Sequence, residues 1–139
     1  MVGKDAKDEL RKIQSTDYRF GCLKLKIHFE IGLIDVVSRL DQSIVSFEEM
    51  IRNCHHDECC WLVFRYKFTF RERAITCVVL FIWAPLQYND QIRKAYTNAV
   101  YLIKRHAVPF VTIAHSRNQF TESDLIDLLT AEMESGEQR

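Results

Sequence analysis

The chain has 139 residues, 47% of them hydrophobic, with 19 basic residues against 19 acidic ones and no net formal charge. That length and apolar content suit one domain with a real core, and the neutral balance argues against a general nucleic-acid or polyanion binder while leaving room for a local basic face. Five cysteines without a framework spacing, a polar start and no apolar run near the ~20 residues that cross a bilayer imply a reduced, cytoplasmic protein with no membrane span.

Four glycines and two prolines leave little room for a linker, so residues 1–139 read as a single domain. Its core is expected over about 5–133, with a frayed tail over 134–139. In chain order, DAKDELRKIQ (residues 5–14) predicts a short helix with sparse apolar positions at Ala6, Leu10 and Ile13. Ser15 to Phe20 reads as a turn region. From Cys22 to Phe29 the pattern alternates: Leu23, Leu25, Ile27 and Phe29 fall on one side, and Lys24, Lys26 and His28 on the other. That is the signature of a half-buried strand. Glu30-Ile31-Gly32 predicts a turn, and Leu33 to Val37 the returning strand of a hairpin.

Ser46-Phe47-Glu48-Glu49 has the spacing of a capping box, with the serine side chain capping the third helical N–H and Glu49 reaching back. It opens a short helix to about Asn53. Cys54 to Glu58 is a polar connection. Cys59 to Phe70 predicts a long strand with Phe64, Tyr66, Phe68 and Phe70 on one face and Arg65, Lys67 and Thr69 on the other. Arg71-Glu72-Arg73 is the expected hairpin turn.

Val78 to Trp83 is a continuous apolar run, rich in β-branched and aromatic residues, and reads as a central strand covered on both faces. Pro85 stops it. Asn89 or Asp90 then offers an N-cap for one long helix. On that helix Ile92, Tyr96, Ala99 and Ile103 form one buried stripe. The opposite face carries Lys94, Thr97, Asn98, Tyr101 and Arg105, flanked by Arg93 and Lys104, with both Arg93 and Tyr101 expected to be exposed. This face holds basic residues and no acidic ones after Asp90, and tyrosine and arginine are enriched at protein interfaces. Pro109 to His115 predicts a strand running into a turn at Ser116-Arg117-Asn118. Thr121 to Asp124 caps a final helix carrying Leu125, Ile126, Leu128, Leu129 and Met133. A helix joining the fourth and fifth strands permits a right-handed parallel crossover in an otherwise antiparallel sheet.

The stretch Cys54-His55-His56-Asp57-Glu58-Cys59-Cys60 has the residue types of a zinc site. Structural zinc uses ligand pairs brought from separate segments, and there is no second pair, because Cys22 and Cys77 stand alone in strands. Cys59 and Cys60 are neighbours on a strand and point to opposite faces. No metal is therefore assigned, and the tract reads as a polar loop flanked by buried thiols. A cysteine nucleophile built from Cys59 and His115 lacks a strained nucleophile turn and a glycine-rich oxyanion loop. A cysteine- or zinc-dependent enzyme is kept as the remote alternative.

The passage FIWAP…IRKAY…LIKR resembles the signature of the actin-depolymerising factor homology domain family: an apolar strand, a Trp-(Ala/Ser)-Pro stop, and a long helix with basic residues and then a tyrosine near its start, matched here by Arg93, Lys94 and Tyr96. The resemblance covers about residues 5–130. Within the family the chain is most similar to the glia maturation factors, whose first helix and first strand look like DELRKIQSTDYRFGCLKLKI. It departs from them at Trp83-Ala84-Pro85, which is more cofilin-like, at Lys94-Ala95, where apolar residues are usual, and at Gln91, which replaces a lysine typical of cofilins. The first serine is Ser15, so the N-terminal serine switch of many cofilins has no counterpart.

The resemblance implies an α+β fold, with a five- or six-stranded mixed sheet sandwiched between helices. It implies a monomeric binding protein rather than an enzyme, with no cofactor and no nucleic-acid or membrane partner, working in the cytoplasm on the cortical actin cytoskeleton. Its partners would be actin or the actin-related-protein branching complex. The implied activity is debranching of filaments and inhibition of branch nucleation, and the alternative is cofilin-like severing and depolymerisation. The contacts carried over are Val2, Gly3, Lys4, Gln91, Arg93, Lys94, Thr97, Asn98 and Tyr101, with Arg71 and Arg73 as a second surface.

Overall fold

The computed structural model describes residues 1–106, 110–116 and 119–137. The elements are α1 (Lys4–Lys12), β1 (Cys22–His28), β2 (Leu33–Leu40), α2 (Phe47–Ile51), β3 (Cys60–Phe70), β4 (Arg73–Trp83), α3 (Asp90–Asn98), α4 (Val100–Lys104), β5 (Phe110–Ala114) and α5 (Glu122–Glu137). The strands form one five-stranded sheet in the order β2-β1-β3-β4-β5. Its pairs are antiparallel except β4–β5, which is parallel across the expected crossover.

The apolar run of β4 explains the layering. Because side chains alternate along a strand, Val79, Phe81 and Trp83 enter one core and Val78, Leu80 and Ile82 the other. The first core is closed by Phe47 and Met50 of α2 and Leu125 and Leu129 of α5. The second is closed by Ala6 and Leu10 of α1, Tyr96 of α3 and Ile103 of α4. Cys59 and Cys60 part to opposite cores, as their adjacency requires.

Local chemistry sets the connections. Ser46 Oγ accepts the Glu49 N–H at 3.2 Å, but the Glu49 carboxylate receives the Ser46 hydroxyl at 3.0 Å rather than its backbone N–H. Thr121 and Asp124 make the fully reciprocal box, with N–H bonds of 3.2 and 3.0 Å. The β3–β4 hairpin turns on Arg71 and Glu72, at φ 49° and 66°. Such a two-residue turn requires positive φ at both positions, which glycine or asparagine would adopt with less strain. Gly21 is needed for a different reason: a Cβ there would lie 2.1 Å from the Gln42 carbonyl oxygen and 2.5 Å from that of Ser43.

Several expectations are corrected. β1 is covered on both faces rather than one, so Lys24 is buried, while Phe29 beyond its end is 53% exposed. Arg65 shares its strand face with Lys67 and Thr69 but is 1% exposed, because the 13–18 segment and Ser43 cover that position. The single long helix is two helices, α3 and α4. Ala99 closes the junction with φ −84° and ψ 0°, and Leu102 N–H donates to the Ala99 carbonyl at 3.0 Å, a tighter i→i+3 turn. Just before it the Thr97 hydroxyl donates to the Arg93 carbonyl at 3.1 Å, a competitor that bends helices. α5 runs to Glu137, into the segment where fraying is expected. Pro109, Arg117 and Asn118, and the last two residues of the tail, lie outside the described residues.

Candidate partner-binding face

The face is built on α3. Asn89 is the cap, its Oδ1 accepting the N–H groups of Gln91 and Ile92 at 2.9 and 3.1 Å. Asp90 in the first turn pairs with Arg93 at 3.1 Å and Lys94 at 3.2 Å. Beneath the helix, Tyr96 is riveted into the sheet. Its hydroxyl accepts the Ile27 N–H at 2.9 Å, its carbonyl accepts Trp61 Nε1–H at 3.1 Å, and its ring lies 4.5 Å from that of Trp61. Burial pushes the Tyr96 phenol up to about 12. Tyr96 therefore orients α3 and is not itself available to a partner.

Of the predicted contacts, Gln91, Lys94 and Asn98 are exposed and Thr97 is half-buried. Tyr101 is 56% exposed, and the Arg105 guanidinium lies 5.7 Å from the centre of its ring. Tyr96 and Ile103 form the buried stripe, with Ile92 and Ala99 half-buried beside them. Arg93 differs from expectation: its side chain is only 18% exposed, and its Nε is buried with no hydrogen-bond partner. Its position between stripe and open face lays the guanidinium against the protein, with one arm on the exposed Asp90 carboxylate.

The N-terminal segment lies along the sheet edge. Val2 bridges Ile34 in parallel, Gly3 N–H donates to the Ile34 carbonyl at 2.8 Å, and Ile34 N–H donates to the Met1 carbonyl at 2.7 Å. Val2 is 5% exposed, so its side chain belongs to the core and not to an outward surface. Gly3 is half-buried and Lys4 exposed. Met1, Val2 and Lys7 line a cavity of about 220 Å³ together with Leu102, Arg105 and His106, which sets the segment beside α4. Burial, then Lys7 and Arg105, hold the His106 imidazolium below its ordinary range.

Arg71 and Arg73 are exposed at the β3–β4 turn, with the Arg71 guanidinium 5.0 Å from the Phe70 ring. They line a cleft with Ile75 and Met133. Arg73 opens β4 and Trp83 closes it, so this surface lies at the opposite end of that strand from the start of α3.

The cysteine tract is structural in character. Glu58 accepts Lys24 and, at 2.8 Å, Lys26, while Lys24 Nζ also donates to the Asn53 carbonyl at 3.0 Å. The His55 carbonyl accepts Trp83 Nε1–H at 2.7 Å. Among the described residues no three His, Cys, Asp or Glu side chains are grouped to hold a metal. Burial pushes the Cys59 thiol up to about 11, which disfavours the thiolate, and His115 Nδ1 is held 2.8 Å from the Ala84 carbonyl. Arg65 and the Lys24–Glu58–Lys26 cluster went unpredicted as structural centres. Alternation along β1 and β3 carries no signal for either, since it marks a face and not what covers it.

A five-stranded mixed sheet with helices on both faces, a parallel last strand reached through α3 and α4, and a capped helix leaving a Trp-Ala-Pro strand end define the actin-depolymerising factor homology fold. The family model for cofilin/tropomyosin-type actin-binding proteins matches residues 1–130, and the chain belongs to that family. Among solved structures it is similar to the cofilin of Streptomyces griseoflavus, with TM-score 0.78 and 13% identity over 91% of this chain and 94% of that one. It is also similar to the glia maturation factor of Caenorhabditis elegans, with TM-score 0.74 and 16% identity over 91% and 92% of the two chains. A third is actin depolymerization factor 2 of Plasmodium berghei, with TM-score 0.76 and 14% identity over 94% and 95%. The comparison with curated proteins found no match. Among the described residues no helix is long and apolar enough to cross a membrane.

Proposed function

We propose that this domain acts as a glia-maturation-factor-like regulator, a binding protein and not an enzyme, that seats α3 and its N-terminal segment on an actin-fold subunit of the actin-related-protein branching complex. It favours the debranched arrangement by binding it better, a population shift. The observation that carries the reading is Arg93, with its Nε buried and unpartnered. A buried donor without an acceptor costs about 1–3 kcal/mol. An acidic partner group that draws the guanidinium outward relieves that cost and adds charge-assisted hydrogen bonds. The likeness of residues 8–27 to glia maturation factors and the two-residue β3–β4 turn support the debranching form of the activity.

A cofilin-like severing activity is the second reading, favoured by Arg71 and Arg73 as a separate basic surface at the far end of β4. Imaging branched and unbranched filaments side by side decides between them. Loss of junctions with intact mother filaments is the expected result. Breaks along unbranched filaments would establish severing instead, and no effect on either would overturn both readings.

A further inference from the structure

The β1–β2 hairpin turns at Phe29-Glu30-Ile31-Gly32, with Ile31 N–H donating to the His28 carbonyl at 3.2 Å and Gly32 at φ 63°. Turns of this kind ordinarily carry polar residues. Here Phe29 is 53% exposed and Ile31 73% exposed. Neither exposed surface contributes to the core, and neighbouring exposed apolar side chains on one turn are the kind of surface that contact sites use.

The position of the tip is specific. On one side the N-terminal ammonium donates to the Gly32 carbonyl at 2.9 Å, and the N-terminal segment runs on along β2. On the other, the Phe29 ring meets Tyr96 of α3 edge-on, with centroids 6.2 Å apart. Phe29 also lines a cleft of about 200 Å³ with Tyr88, Ile92, Cys59 and Lys26, the last ion-paired with Glu58 at 2.8 Å. An open surface hollow lined by His28, Phe29, Glu30 and Ile31 also lies at the tip. Ile92 is the residue before Arg93. The hairpin tip is therefore continuous with both segments of the proposed face and joins them.

We infer that the β1–β2 hairpin tip is the apolar anchor of the partner-binding face, and that an apolar side chain of the same actin-fold partner seats between Phe29 and Ile92 while Arg93 takes an acidic group beside it. The inference rests on the reading of α3 given above and deepens it. A desolvated apolar anchor next to a charged contact is the usual composition of a binding hot spot, the apolar contact excluding water from the charged one. Arg93, the residue after Ile92 of the cleft, suits a partner with an acidic group beside that apolar side chain.

The test is titration of the purified domain against monomeric actin and, separately, against the branching complex. The variants are Ile31→Ser, Phe29→Ser, Phe29→Leu, Arg93→Ala and, on α5, Leu128→Ser, an exposed apolar residue in the opposite layer. Ile31→Ser is expected to weaken the preferred complex by about fivefold and Phe29→Ser by about tenfold or more. Phe29→Leu should retain most of the affinity, Leu128→Ser all of it, and Ile31→Ser should leave the thermal midpoint unchanged. If both serine variants bind like wild type while Arg93→Ala is weakened, the hairpin inference is overturned and the α3 reading stands. If Arg93→Ala also binds like wild type, the α3 reading falls with it. Equal weakening by Leu128→Ser, or concentration-dependent dimerisation of the wild type abolished by Ile31→Ser, would likewise overturn the anchor, the second by making the tip a self-contact.

Discussion

Two arginines are drawn out of solvent in this molecule, and they are treated in opposite ways. Arg65, on β3, is 1% exposed and every arm of its guanidinium is used: Nε donates to the Ser43 carbonyl at 2.7 Å, Nη1 to Ile13 at 3.4 Å and to Ser15, and Nη2 to Tyr18. Arg93, on α3, is 18% exposed, holds one carboxylate and leaves Nε unpaired. The first gathers three stretches of chain around a cation. The second keeps bonding capacity unspent next to an exposed face. Satisfied burial marks a structural centre, and the unsatisfied donor at a surface margin is the feature that the proposed binding role accounts for.

The largest expected effect is at Arg65. Arg65→Met removes the donors from four carbonyl acceptors and should lower stability by about 3 kcal/mol or more, since leaving each buried acceptor unpaired costs about 1–3 kcal/mol. Chemical denaturation reads this directly. Partner affinity of the folded fraction should be unchanged, and an unchanged midpoint would break the contrast between the two arginines. At Arg93 the signs reverse. Arg93→Ala should weaken binding by about 2 kcal/mol, the threshold of a hot spot, while stability should hold or rise, because the variant removes a buried unpaired donor and only an exposed ion pair to Asp90. Arg93→Lys should restore only part of the affinity if the partner engages the guanidinium fork. Co-sedimentation and thermal melting on the same samples separate the two effects.

Glu58 sharpens the comparison from the acidic side. Burial alone would raise its pKa, but hydrogen bonds from Lys24 and then Lys26 outweigh that and hold it below its ordinary 4.5. The folded state thus holds its charged form to lower pH than the unfolded chain does. The stabilisation is fully present above 4.5 and is lost as pH falls through the depressed folded value. Glu9, depressed below its ordinary value by Arg39 and Tyr18 against the opposing effect of burial, behaves with the same sign. Glu58→Gln should cost about 1–2 kcal/mol at neutral pH, and the gap from wild type should close in acid. A gap that persists undiminished at acid pH would show that charge is not what Glu58 contributes. Smallest of all is Arg71→Ala, expected within about 0.5 kcal/mol on stability. Primary binding should be retained, and any loss should appear only in debranching or severing. A loss of primary binding as large as that of Arg93→Ala would merge the two basic surfaces into one.

Element type and order were legible because each rests on neighbours within a few residues. The run Val78–Trp83, the Ser46 and Thr121 caps and the alternation of β3 all encode their structure locally. Arg65 was misplaced because alternation identifies a face and not what covers it, and the carbonyls it serves lie 47 to 52 residues back at Tyr18, Ser15 and Ile13. Lys24 was misplaced for the same reason, its partner Glu58 lying 34 residues on. At the candidate site, Tyr101 and Lys94 were correctly set outward by helical periodicity. Arg93 was not, since how deeply a side chain on the flank of a helix lies is a matter of rotamer and packing. The break at Ala99 has no proline or glycine to announce it.

Local pattern alone reaches the succession of strands and helices, the two-sided burial of β4 and the basic, acid-free face after Asp90, all properties of hydrophobic period and local capping, while the fold class rests on the family resemblance. Packing across the fold sets which charges are buried and by what they are satisfied, zips the N-terminal segment onto β2, and brings Phe29 and Ile31 between that segment and α3. Those facts depend on contacts between segments far apart along the chain, and a local pattern carries no record of its distant neighbours.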